Sequence, residues 1–188
     1  MPWPAPAGPA EGVMAQFLYP RHFLLLSAFS VLLAVISRRH LVTPPDASFA
    51  VYGALDAVAL VLGLGRRSGW RQCLFIVLAA GLCVMSLHVG MLVMHLLGGL
   101  PGNIGLYAAL AAGAWIGAAS YGVSIRLWQI HRFNRRSLAI TGIACVAATY
   151  AAFLTLAHFH SLGRWWLPVL WWFAFSGGLW YCDRHSGR

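Results

Sequence analysis

Residues Cys73-Leu-Phe-Ile-Val-Leu-Ala-Ala-Gly-Leu-Cys-Val-Met85-Ser-Leu-His88-Val-Gly-Met91-Leu-Val-Met94-His95-Leu-Leu97 form one apolar run without an Asp, Glu, Lys or Arg. As a helix rising about 1.5 Å per residue it is long enough to cross the roughly 30 Å hydrocarbon core of a bilayer. A helix in a water-soluble protein needs polar residues on the face turned from the core, and this run has no charge to put there. The rest of the chain repeats the pattern. Of its 188 residues 60 % are apolar and only 9 % charged, and the charges stand between the apolar runs. Lipid is therefore the expected solvent.

Six such runs follow one another: about Tyr19–Ile36, Ala47–Leu64, Cys73–Leu97, Asn103–Ile125, Leu138–His158 and Trp165–Cys182. The fold class expected is all-α, a polytopic transmembrane helical bundle of about six spans. Residues 1–18, rich in Pro and Ala, read as a flexible tail with no charged region ahead of an apolar core, hence no secretory signal. Residues 19–182 are the membrane domain, and residues 183–188 a short C-terminal tail.

Arginine decides the orientation. All thirteen basic residues are Arg. Arg21, Arg66, Arg67, Arg71, Arg126, Arg132, Arg135, Arg136, Arg184 and Arg188 fall on one side of the six runs. Arg38, Arg39 and Arg164 fall on the other. Positive loops stay inside, so both termini and the two Arg-rich connections are expected in the cytoplasm, under a bacterial inner membrane. The absence of Lys excludes Schiff-base attachment of a cofactor. A net charge of +9 would suggest nucleic acid in a soluble protein. Here the arginines serve topology and anionic lipid, and no nucleic-acid partner is expected. Arg126, Arg132, Arg135 and Arg136 share one connection that is suited to a lipid headgroup or a partner's acidic surface.

The four cysteines show no CxxC spacing and read as buried, inert thiols. Trp165, Trp166, Trp171 and Trp172 at one end of the sixth run, with Trp180 and Tyr181 at the other, suit the two membrane interfaces. Gly105, Ala109, Gly113 and Gly117 recur every four residues. That smooth stripe admits another helix closely, within the bundle or between copies.

Few residues remain for chemistry. Asp56 stands at the middle of the second run, where a carboxylate costs roughly 2.5–3.5 kcal/mol, so it should face the bundle interior with a partner or a proton. It is the candidate proton or ion site of a small proton-coupled carrier. On the third run, at about 100° per residue, His88 and His95 lie within roughly 20° of each other, with Met91 on the same face. The antiparallel second run brings Asp56 near the depth of His88, which permits an Asp56–His88 hydrogen bond. His158 on the fifth run reaches the depth of His95, and His160 follows. His88, His95 and His158 are thus candidate haem b ligands. Met91, Met94, His95, His158 and His160 are candidate copper ligands, since thioether and imidazole suit that metal.

Met94-His95-Leu96-Leu97-Gly98 resembles the Met-His-x-x-Gly core of MHYT-type bacterial membrane sensor domains. The resemblance covers about residues 47–100 and implies copper held near the outer face by Met94 and His95. Gly99 stands where that family has a methionine, and Thr149-Tyr150 lacks the preceding Met-His.

The sequence contains no Lys-bearing phosphate loop, no HExxH and no GxSxG, and the connections are too short for a soluble catalytic domain. The reading is a non-enzymatic subunit or binding module of a membrane complex, with lipid and other membrane subunits or a second copy as partners. Its rivals are the haem or copper protein and the carrier.

Overall fold

The computed structural model describes residues 9–38, 45–64, 69–101, 103–128, 133–158 and 166–185. They form six helices: α1 (Pro9–Arg38), α2 (Pro45–Leu64), α3 (Trp70–Leu97), α4 (Ile104–Leu127), α5 (Arg135–His158) and α6 (Trp166–His185). No strand occurs among the described residues. Each expected run lies within one helix, apart from terminal residues. The difference is at the start, where α1 begins at Pro9 and takes in half of the expected flexible tail. Proline is at home in a first helical turn, where its missing N–H has no partner to lose.

Local signals set the other starts. Gly69, at φ 152°, turns the chain into α3 with a backbone angle that side-chain-bearing residues avoid. Asn134 caps α5, its side-chain oxygen accepting from the Ser137 N–H at 2.8 Å.

Each helix packs against its neighbours in sequence, and α6 closes on α1, so the six make a ring. Contacts between neighbours run antiparallel. Gly53 of α2 abuts Ala79 and Cys83 of α3, Gly113 of α4 abuts Ser86, and Gly105 abuts Leu97. The stripe of α4 is therefore a seam inside the molecule. Between α1, α2 and α6 the ring is pinned by His22, which is fully buried. Its Nδ1 lies 3.0 Å from the Ala59 carbonyl and its Nε2 2.7 Å from the Ser176 hydroxyl. A carbonyl only accepts, so Nδ1 carries hydrogen and donates. The Tyr19 hydroxyl adds a second tie, donating to Asp183 at 2.9 Å.

Five helices, α1 to α5, are long and apolar enough to cross a membrane. In α6 the four tryptophans and the polar end Asp183-Arg184-His185 dilute that character. The most apolar of the five, α3, is also the least buried, with only Phe75 and Ala79 inside the bundle. Val77, Leu92 and Leu96 are 70 %, 57 % and 69 % exposed. Water would penalise such a face and lipid does not, so the solvent of these helices is a bilayer.

Candidate functional site

Asp56 organises the interior. One turn before it Gly53 has no side chain, and a Cβ there would lie 2.6 Å from the Ala79 carbonyl oxygen. That close approach of α2 and α3 seats Asp56 inside the ring, 1 % exposed. Both carboxyl oxygens lack a hydrogen-bond partner, as does the hydroxyl of Tyr121, which is buried on α4. The two groups adjoin: the Tyr121 hydroxyl is the donor at hand for the carboxyl, close enough to act on it but outside good hydrogen-bond geometry.

Both open into a cavity of about 250 Å³ between α2, α3, α4 and α6, with Thr149 of α5 at its side. Its walls are almost wholly apolar and carry the rings of Phe49, Trp171 and Trp172. The two other hydroxyls on the wall are spent on their own helices. Ser86 donates to the Cys83 carbonyl and Thr149 to the Cys145 carbonyl, each at 2.8 Å. Asp56 and Tyr121 therefore hold the unspent hydrogen-bonding capacity of the wall. Met91 and Met94 line the cavity yet are 48 % and 49 % exposed, which puts its mouth beside the C-terminal half of α3.

The aromatic wall is rigid. Tyr121 packs edge-on against Trp171 (6.1 Å between centroids, 84°) and Phe175 (5.3 Å, 85°), while Trp171 stacks on Phe175 at 5.4 Å. Such pairs favour one arrangement beyond the area they bury.

The histidines lie elsewhere. His88 is exposed, with Nδ1 3.0 Å from the Val84 carbonyl and Nε2 3.8 Å from Asp46. The expected Asp56–His88 bond is not formed: His88 lies level with Asp46 in the first turn of α2, ten residues and about 15 Å along the helix from Asp56. His95 is exposed in the last turn of α3, and neither histidine lines the cavity. The side chains of His158 and His160 lie outside the described residues. Among the described residues no three His, Cys, Asp or Glu side chains gather as a metal set.

At the opposite end of the ring Arg126, Arg135 and Arg136 are exposed around the α4–α5 connection, and Arg132 lies outside the described residues. Tryptophans share that end. Arg71 lies over the Trp70 ring at 5.9 Å, Trp70 meets Trp128 edge-on, and Arg184 lies over Trp180 at 5.3 Å. None of the four cysteines forms a disulfide; Cys145 and Cys182 are buried and Cys73 is exposed.

Sequence reasoning singled out Asp56 and the two methionines and missed Tyr121 and His22. Tyr121 looked like one more aromatic in an apolar helix. His22 had a signal, a polar ring one turn inside an apolar run. Compared with known proteins, the chain matches no family model, no curated protein and no solved structure.

Proposed function

We propose that this chain is a six-span protein of a bacterial inner membrane that works as a non-enzymatic binding module within a membrane complex. On this reading both termini and the Arg126–Arg136 connection face the cytoplasm. The stacking of arginine on tryptophan fits headgroup depth at that end, where amphipathic rings and cations both settle, and the excess of arginine there supports the cytoplasmic side. The exposed apolar face of α3 offers lipid or a partner subunit a surface of the chemistry both require.

The observation that carries the binding role is the cavity itself. A void this large loses packing energy unless something fills it, and its apolar wall does not hold water well. A hydrophobic molecule entering from the membrane at Met91 and Met94 would fill it and meet Asp56 and Tyr121 at its inner end. The test is a mouth-blocking substitution. Met91 is half exposed, so Met91→Trp adds bulk at the entrance without crowding the core. Purified protein should bind a small fluorescent apolar probe saturably, and Met91→Trp should weaken that binding by about tenfold, roughly 1.4 kcal/mol. Equal binding by the two proteins would refute the cavity as the site.

A further inference from the structure

We infer that the cavity is a site for a lipophilic organic cation, an aryl- or alkylammonium, that takes the place of a proton on Asp56. The inference rests on the cavity being a binding site and names the chemistry of its occupant. A carboxylate in an apolar interior needs its charge cancelled, by a fixed cation, a bound one or a proton. Among the described residues no fixed cation is at hand: none of their arginines lines the cavity, and Arg71, Arg126, Arg135 and Arg136 are exposed at the ring's far end.

The groups that face Asp56 leave its role vacant. From α3 comes Cys83, from α4 Tyr121 and from α5 Cys145, all coupled to it electrostatically and none of them cationic. From α1 the titratable group is His22, whose ring is engaged by Ala59 and Ser176. Leu167, Pro168, Trp171 and Trp172 line the cavity from α6 and do not titrate.

The walls suit the same ligand. The rings of Phe49, Tyr121, Trp171 and Trp172 border the cavity, and desolvated cation–π contacts are worth about 2 kcal/mol or more. Size sets an upper bound. Benzene fills a cavity of about 150 Å³, so 250 Å³ admits one aromatic ring with a small substituent. The exchange balances. The cation enters, the carboxylic acid of Asp56 becomes a carboxylate paired with it, and the proton is released to the aqueous buffer. Proton and cation compete, so binding weakens as pH falls.

Phenyltrimethylammonium and its neutral isostere tert-butylbenzene test this directly, on the full chain in matched micelles. The cation should bind at least about tenfold more tightly than the isostere and release about one proton in weak buffer. Asp56→Asn should lose about tenfold or more in cation affinity while keeping tert-butylbenzene within about twofold, which also shows that the variant is folded. Equal affinity for the two probes, binding of tert-butylbenzene alone, cation uptake without proton release, or an unaltered Asp56→Asn would each overturn the inference and leave the cavity reading standing. Binding of neither probe would remove both.

Discussion

His22 commits both ring nitrogens inside the bundle, to a carbonyl of α2 and a hydroxyl of α6, and Gly63 makes room for it. A Cβ at Gly63 would lie 2.6 Å from the Cβ of His22. Removing the ring leaves a cavity and frees two polar partners, so His22→Ala should cost about 2–4 kcal/mol. Ser176→Ala removes one interhelical bond and should cost only about 0.5–1.5 kcal/mol. Thermal unfolding in one detergent compares them, and equal losses would mean that the bond to Ser176 matters and the ring's packing does not. At this scale the sequence was partly legible. A lone acid in an apolar run, Asp56, can only point inward, and it does. Tyr121 carried no such mark, because a phenol in an apolar helix can face lipid, a headgroup or a cavity, and only packing decides.

The helices show why neither relative depth nor rotation was readable. Rise per residue set His88 at the depth of Asp56, but Gly53 packs on Ala79 and Cys83, which brings His88 level with Asp46 instead. The side of α3 turned inward is set by its small residues. Ala79, Cys83, Ser86 and Gly90 make one stripe, along which α2 and α4 approach. At about 100° per residue, His88 and His95 stand roughly 160–180° from that stripe, and this is why both are exposed. The stripe on α3 was in the sequence, as was the one on α4. Read together they would have turned the histidines outward. The same contacts make a paired prediction. In Gly53→Ala the new methyl meets the Ala79 carbonyl at 2.6 Å and the Cys83 Cβ at 2.7 Å. Backbone cannot yield as a side-chain tip does, so α2 and α3 must part, at about 1–3 kcal/mol. In Gly81→Ala the methyl meets nothing within 4 Å, and helix propensity should stabilise the protein by up to about 1 kcal/mol. Denaturation of the two variants beside the parent checks the sign of each, and a destabilised Gly81→Ala would place a neighbour against that face of α3.

Across the whole molecule the six apolar runs foretold the element order, because hydropathy and length are properties of a single segment. The closure of α6 on α1 and the cavity within the ring were not legible. Both depend on which faces meet, and α6 brings its own aromatic pattern, with Trp172 and Phe175 buried and Trp180 exposed. Arginine distribution gives the ring a direction, and exposed apolar surface gives it a solvent. Together these are the premise for a cavity that opens toward one leaflet and ends on a buried acid.

Labelling of single cysteines by an impermeant thiol reagent, in cells carrying the full chain with its native cysteines replaced by alanine, tests that premise most directly. A cysteine at Asn103, between α3 and α4, should react in intact cells. One at Asn134, beside the Arg126–Arg136 connection, should react only after the membrane is opened. Reaction of both positions from the same side would contradict the ring of membrane-crossing helices.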